Sequence, residues 1–155
     1  MNRYLNIVLS FPRTLWFNLR YLPFRHAVKL PVWIAPNKHI SRMWRGGIIL
    51  ENPAFNRIHI GFHVADAVDC VGSHTIINIR KGDVWIIADH TYIGRGANIC
   101  VGSTGTLAVG ENFAISGTTN IVCGNEISIG KKFSSAGILL LWMAMPIKFT
   151  VWTAR

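Results

Sequence analysis

Leu107-Ala-Val-Gly110 and Ile127-Ser-Ile-Gly130 repeat one short phrase: an aliphatic residue, a small residue, an aliphatic residue and glycine. Ile99-Cys-Val-Gly102 is another copy, and Ile58-His-Ile-Gly61 is an earlier and looser one. Around these phrases the aliphatic residues recur six apart, as in the series Val109, Ile115, Ile121 and Ile127. Similarity of a sequence to itself at a short fixed period indicates a repeat architecture.

The period of six predicts the shape of the repeat. A short strand points alternate side chains inward, and a tight corner rich in Gly or Asn can follow it. Six residues then make one side of a triangular coil, and each coil covers and pairs with the next. An antiparallel β-sandwich is the alternative, but its turn signals come about every 8–12 residues, which is too seldom for this sequence. We therefore predict an all-β parallel β-helix.

The residue composition changes near Gly46, and the six-residue period is lost after Phe133. Residues 1–45 contain four prolines and predict an irregular, partly helical cap, with a short helix over Thr14–Arg20 and an extended piece over Ala27–Ile34. Residues 46–133 are predicted to form the β-helix coils, most regularly between Ile93 and Gly130. Residues 134–155 lose the period and form an apolar tail.

Positive charge is concentrated at the front of the chain. The net charge is +9, and eight Lys and Arg residues precede Glu51, the first acidic residue. Aromatic residues lie between these cations, so three interpretations remain open: a solvated basic face, contact with anionic lipid, or nucleic-acid binding. No nucleic-acid motif supports the last, and we expect no nucleic-acid partner.

The remaining composition predicts a location inside the cell. No apolar run approaches the ~20 residues that span a bilayer, and no signal peptide is evident. The three cysteines, Cys70, Cys100 and Cys123, are widely spaced and have no metal-ligand pattern. They predict reduced thiols in the cytoplasm, with the basic segment at the inner face of the membrane if it binds lipid.

The repeats resemble those of the left-handed parallel β-helix acyltransferases, the hexapeptide-repeat family. The branch most similar is the O-acetyltransferase-like enzymes of bacterial surface-polysaccharide synthesis, over roughly residues 11–133. The phrases that carry the resemblance are Phe11-Pro-Arg-Thr-Leu-Trp-Phe-Asn-Leu-Arg-Tyr-Leu-Pro-Phe24, Gly72-Ser-His-Thr-Ile-Ile-Asn-Ile79, Leu107-Ala-Val-Gly-Glu-Asn-Phe113 and Ile127-Ser-Ile-Gly-Lys-Lys-Phe133.

The resemblance implies a homotrimer with active sites between subunits. It implies acetyl-coenzyme A as acyl donor, a sugar or glycan-precursor hydroxyl as acceptor, and a histidine as general base. In this branch the histidine usually follows a phrase of the form Trp-x-x-x-x-x-x-Asp-x-Asp-x-His, after the coil that matches Ile127–Phe133.

This chain has no histidine after His90, but a shifted reading frame supplies the missing phrase. In this frame each new codon joins the last base of one residue's codon to the first two bases of the next. Trp142 and Met143 have one codon each, so the new codon that spans them must encode Asp. The same frame forces Gly across the codons of Met143 and Ala144, and Ala across those of Met145 and Pro146. It permits His across the codons of Pro146 and Ile147. The stretch then reads Trp-Asn-Leu-Ala-Ile-Met-Asp-Gly-Asp-Ala-His-Lys-Ile-Tyr, which matches the Asp-x-Asp-x-His part and has five residues between Trp and the first Asp. We predict a frameshift or truncation after about Phe133, so that residues 134–155 are out of frame.

No catalytic residue is therefore assigned within this chain, and the residues that bind the cofactor are left unassigned. His59, His63, His74 and His90 are interpreted as surface or corner residues. His90 is the first fallback as base, although its sequence neighbour Asp89 need not place a carboxylate on the ring. The asparagines 98, 112, 120 and 125 are predicted to serve corners, with Asn120 an alternative rung of an internal ladder. We predict no metal site at Asp66, Asp69, Asp83 and Asp89, and no phosphate loop at Gly94-Arg-Gly-Ala97.

Three functions follow from these patterns. The first is an acyltransferase acting on a sugar hydroxyl, expected to be inactive in this chain. The second is a non-catalytic β-helix remnant or trimerising scaffold. The third is a basic peripheral protein that binds membrane through residues 1–45.

Overall fold

The computed structural model describes residues 3–36, 43–62, 74–136, 139–143 and 149–151. Two helices come first, α1 (Arg3–Tyr21) and α2 (Phe24–Ala27). The strands that follow are β1 (Val32–Ile34), β2 (Ile48–Leu50), β3 (Ile58–Phe62), β4 (Ile76–Ile79), β5 (Val84–Ile87), β6 (Thr91–Gly94), β7 (Asn98–Val101), β8 (Thr106–Val109), β9 (Ala114–Ser116), β10 (Thr119–Cys123), β11 (Glu126–Ile129), β12 (Ser134–Ala136), β13 (Leu139–Met143) and β14 (Phe149–Val151).

Three parallel sheets form the sides of the solenoid. Sheet A has the order β1-β3-β6-β9-β12, sheet B the order β4-β7-β10-β13, and sheet C the order β2-β5-β8-β11-β14. Consecutive strands lie in different sheets, and each strand pairs in parallel with a strand one coil away. The predicted parallel β-helix is confirmed.

The aliphatic residues of the repeat line the interior. Ile93, Ile99, Leu107, Ile115, Ile121 and Ile127 have no exposed surface or almost none. The ladders place Ile99 beside Ile121 and Leu107 beside Ile127, so each column of the core is continuous between coils. Burial of each such side chain contributes roughly 1.5–3 kcal/mol, which makes these columns the main stabilising feature.

The coils are longer than three sides of six residues. Ile99 pairs with a residue 22 positions later, and Leu107 with one 20 positions later. The difference arises at the corner between sheets B and C. That corner has four residues after β7, from Gly102 to Gly105, but only Gly124 and Asn125 after β10.

A second corner, between sheets C and A, repeats one backbone conformation. Asn56, His90, Asn112 and Lys132 all have φ between 48° and 59°, and Leu30, at the matching position between α2 and β1, has φ 45°. The amide of Asn112 donates to Asp89 O, and the amide of Lys132 donates to Glu111 O. The turn role predicted for Asn112 is confirmed, because Asn tolerates the left-handed conformation.

The N-terminal segment is more regular than its prolines suggest. α1 runs through Pro12, where the sequence predicted only a short helix over Thr14–Arg20. Proline removes a single backbone donor, and the exposed Pro12 ring leaves the helix intact. The predicted extended piece is β1, which pairs with β3 and therefore opens the solenoid before residue 46.

Strands also continue beyond Phe133, where the lost period predicted that the coil ends. β12 pairs with β9, β13 with β10, and β14 with β11. Leu141 lies in register with Ile121 and packs on the core, so an aliphatic residue at this register extends the column without the repeat phrase. The reading frame of this stretch is a property of the gene and stays a prediction.

Candidate functional site

His90 lies at the corner between sheets C and A, in a small polar cluster. Its Nδ1 is 3.5 Å from Asp89 Oδ2, so the structure does bring this carboxylate to the ring. The guanidinium Nη1 of Arg57 contacts Nε2 of His90 and lies 3.5 Å from the same carboxylate. Asn52 Nδ2 also donates to that oxygen, at 3.2 Å.

This geometry leaves His90 poorly placed as a general base. The guanidinium of Arg57, a permanent donor, lies against both ring nitrogens, since its Nη1 contacts Nε2 and is 3.4 Å from Nδ1. The nitrogen that would take a proton from an acceptor hydroxyl is therefore already occupied. We interpret the cluster as structural, because Asn52 and Arg57 bind Asp89 of the next coil and so stabilise this corner.

His59 serves the outer face of sheet A. It alternates with the buried Ile58 and Ile60, which confirms that it points outward. Its ring stacks on Tyr92 at 4.7 Å with the planes 8° apart, and the ring of Phe62 meets it nearly edge-on. Burial lowers the pKa of His59, partly opposed by the hydrogen bond to the backbone of Asn56. A neutral, stacked imidazole here is a packing group.

The other predicted polar residues do not converge with His90. His74 is exposed just before β4, and His63, Asp66, Asp69 and Cys70 lie outside the described residues. Asp83 is buried at the other corner, where it accepts the amides of Arg80 and Thr104 and so joins two coils. Within the described ranges, no three His, Cys, Asp or Glu side chains are grouped as metal ligands.

Two of the asparagines lie in strands instead of corners. Asn98 and Asn120 are in register on β7 and β10, and both are partly exposed beside the buried Ile99 and Ile121. They therefore form a rung on the outer face of sheet B, and the internal ladder proposed for Asn120 is wrong. Side chains alternate between the two faces of a strand, and Ile99 and Ile121 take the inward positions. Asn98 and Asn120, the residues before them, therefore point outward.

A shallow depression next to this rung is the candidate binding site. Its volume is about 350 Å³, and its lining includes Asn78, Arg80, Cys100, Ser103, Val122 and Trp142. Four of these form one outward column, because Asn78, Cys100, Val122 and Trp142 are in register. Sequence reasoning missed this site, although the pairing register would have revealed the column.

The described lining of the depression offers binding groups, and it contains no carboxylate or imidazole. Burial raises the pKa of the Cys100 thiol, with Arg80 opposing the rise, so the thiol stays protonated at neutral pH. Cys100 Sγ donates to Asn98 Oδ1 at 3.4 Å. Arg80 and Asn78 supply polar contacts, and Val122 and Trp142 supply an apolar wall.

The fold defines this protein as a member of the structural class of parallel β-helices. Searches against protein-family models, curated proteins and solved structures found no match for the chain.

Proposed function

We propose that this β-helix comes from an acyltransferase that moves an acetyl or similar acyl group from a coenzyme A thioester to a sugar hydroxyl. The acceptor oxygen attacks the thioester carbonyl while a histidine takes its proton. The tetrahedral intermediate then expels the coenzyme A sulfur, which leaves as the thiol after it receives that proton. The products are an O-acyl sugar, as in surface-polysaccharide synthesis, and free coenzyme A.

The in-register stacking of the repeat phrases carries this proposal. The copies ending at Gly110 and Gly130 lie directly above one another, since Leu107 pairs with Ile127 and Val109 with Ile129. Repeats of this kind, stacked in this way, resemble those of the acyltransferases. A fold alone does not define a reaction, so the reaction requires the direct test below.

The same proposal holds that the 155-residue chain is itself inactive. The described rings of His59 and His90 are engaged by Tyr92 and Arg57, and neither lines the depression. The alternate frame would place a histidine across the Pro146 and Ile147 codons, after two acidic residues. An acetyl-coenzyme A donor, a sugar acceptor, a cytoplasmic location and a homotrimer belong to the frame-restored protein.

The test begins with the nucleotide sequence around the Phe133 codon. Two proteins are then compared, the chain as it stands and a frame-restored chain, each incubated with acetyl-coenzyme A and a panel of hexoses and hexosamines. Release of the thiol and acetyl gain by the sugar are measured together. We expect transfer by the frame-restored protein alone, and loss of transfer when its new histidine is replaced by alanine.

Two results would contradict the proposal. One is a gene whose alternate frame does not encode the phrase with two aspartates and a histidine. The other is acetyl transfer by the 155-residue chain, which would mean that a base already exists here. His90→Gln would then be the first variant to examine, with His59→Gln as its matched control.

A non-catalytic scaffold is the second candidate function. It is favoured by the continuation of β12, β13 and β14 in register, since the tail extends the solenoid with residues that carry no acid or base. A soluble trimer of the 155-residue chain, found by sedimentation and inactive in the assay above, would favour it. Inactivity of the frame-restored protein as well would establish it over the transferase.

A further inference from the structure

The helix α1 buries polar side chains and exposes apolar ones, which is unlike an ordinary surface helix. Its buried side carries three polar residues, Ser10, Thr14 and Asn18, beside the core residue Phe17, all with no exposed surface. Asn18 Nδ2 donates to Val32 O at 2.7 Å, and the amide of Ile34 donates to Thr14 Oγ1 at 3.1 Å. Polar residues face the protein because they satisfy the backbone of β1, the first strand of sheet A.

Apolar residues consequently occupy the outward side. The exposed fractions are 69% for Val8, 39% for Leu15, 57% for Trp16 and 45% for Leu19. The exposed residues of α2 and the turn after it extend this surface, with Phe24 at 72% and Val28 at 63%. We call the surface of these six residues the α1–α2 face. A soluble protein that exposes a contiguous apolar surface of this kind has something that covers it.

The charge of the segment indicates what the α1–α2 face meets. Arg13, Arg20, Arg25 and Lys29 lie within the same two helices and the turn after them, and the chain has no acidic residue before Glu51. A second copy would bring the same positive charge against it, which opposes self-association. Apolar side chains rimmed by cations, with Trp16 and Tyr21 in edge contact at 5.8 Å, match the boundary between anionic headgroups and acyl chains.

We propose that the α1–α2 face docks this protein on an anionic lipid surface, with α1 lying in the plane of the membrane. Leu15, Leu19 and Phe24 enter the acyl boundary, while Arg20, Arg25 and Lys29 contact lipid phosphates. In the described part of the chain, no helix is long and apolar enough to span a bilayer. The docking is peripheral, and it does not depend on the acyltransferase proposal.

Sedimentation of the full chain with vesicles tests the docking. Vesicles of phosphatidylcholine alone are compared with vesicles that also contain phosphatidylglycerol, at low and high salt. We expect binding to the anionic vesicles only, and weaker binding at high salt because the headgroup charge is screened. Equal binding to neutral vesicles, or no binding to anionic ones, would overturn the proposal.

Two matched pairs of variants localise the contact. Leu19→Gln is compared with Ile49→Gln, since Leu19 and Ile49 are 45% and 48% exposed and Ile49 lies on sheet C. Lys29→Glu is compared with Lys81→Glu, an exposed lysine at the corner between sheets B and C. We expect roughly tenfold weaker binding for each first variant and less than about twofold change for each control.

Other occupants of the α1–α2 face would show themselves in the same experiment. If Leu19→Gln leaves vesicle binding unchanged but alters the sedimentation coefficient of the free protein, the face contacts a second copy and the proposal is wrong. If all four variants bind alike, the lipid contact lies elsewhere and the proposal is also wrong. If Lys29→Glu leaves vesicle binding intact, Lys29 does not contact lipid phosphates and the proposal is wrong as well. Circular dichroism confirms that each variant is folded.

Discussion

Gly102 and Gly110 close two copies of the same phrase but have different surroundings. A Cβ atom added at Gly110 would lie 2.8 Å from the carbonyl carbon of Gly130 and 2.9 Å from the Lys131 nitrogen. A Cβ added at Gly102 would meet nothing within 4 Å. The backbone of the next coil crosses directly over one glycine and leaves the other open. Gly102 is left open because the corner that follows it in the next coil is short and contains only Gly124 and Asn125.

This contrast makes a prediction about stability. Gly110→Ala should lower the free energy of unfolding by about 1–3 kcal/mol, because the coil at Gly130 must move away from the new methyl group. Gly102→Ala should change it by less than ~0.5 kcal/mol. Urea denaturation followed by circular dichroism measures both. Equal losses in the two variants would mean that the coils are spaced differently from this structure.

His59 predicts how stability depends on pH. Burial lowers its pKa from the usual 6.5, so below that pH the unfolded chain binds a proton more readily than the folded one. The stabilising contribution is complete above 6.5 and declines as the pH falls toward the lowered value. The slope contributed by this one group is at most about 1.4 kcal/mol per pH unit.

His59→Phe is the variant that isolates this effect. Phenylalanine keeps the stacking on Tyr92 but has no proton to bind, so the loss of stability below pH 6.5 should become smaller. His90→Asn is the control, since asparagine accepts the left-handed backbone of that corner. Urea midpoints on both sides of that pH measure the slope. An unchanged slope in His59→Phe would contradict the assigned cause.

At the scale of elements, α1 acts as the cap of sheet A. A strand at the end of a sheet exposes donors and acceptors that invite pairing with another chain. Asn18 Oδ1 accepts the amide of Val32 at 3.3 Å while its Nδ2 donates to the Val32 carbonyl. The helix therefore replaces a neighbouring strand with two side chains spaced one turn apart.

Thr14→Val tests the cap with almost no change of shape. The Ile34 amide would lose its acceptor inside the protein, which should cost about 1–3 kcal/mol of unfolding free energy. Thr118→Val, at an exposed position between β9 and β10, should cost less than ~0.5 kcal/mol. Denaturation curves compare the two. Adding Asn18→Ala to Thr14→Val should also promote aggregation, visible by light scattering, and a soluble double variant would argue against the capping role.

Sequence patterns predicted the strands better than the helices. The aliphatic positions of Ile93, Ile99 and Leu107 fixed which side chains face inward, because burial alternates strictly along a strand. The full length of α1 was not predicted because Pro12 is a poor helix former. The helix is held by hydrogen bonds that Thr14 and Asn18 make with β1, which local propensity does not reveal. The depression on sheet B was invisible for a similar reason: Asn78 and Trp142 become neighbours only through pairing registers of 20 and 22 residues.

At the scale of the whole molecule, the last coil carries the least favourable surface. Leu140 and Trp142 point outward from β13 and are 67% and 70% exposed. β13 ends sheet B within the described strands, so apolar side chains and strand edge occur together. That combination favours aggregation. Leu140→Lys with Trp142→Lys should raise the soluble fraction on expression, whereas Lys substitution at the exposed Tyr92 should not.

The coils should unfold in an order set by their neighbours. In a solenoid each coil contacts only the coils beside it, so stability is nearly a sum of local terms. Strands β6 to β11 have a paired coil on both sides, whereas β12, β13 and β14 pair on one side only among the described strands. Native-state amide exchange should therefore be slowest in β7 to β10 and fastest in β12 to β14.

Two variants make this expectation specific to position. Thr14→Val removes a contact at β1, so exchange should rise in β1 and β3 before it rises in β9 to β11. Gly110→Ala strains the contact between the corners after β8 and β11, so exchange should rise there while β1 stays protected. The exchange of individual amides, followed by mass spectrometry of peptides, distinguishes the two patterns. A uniform rise along the whole chain in both variants would show that the solenoid opens as a single cooperative unit, and the coil-by-coil account would then be wrong.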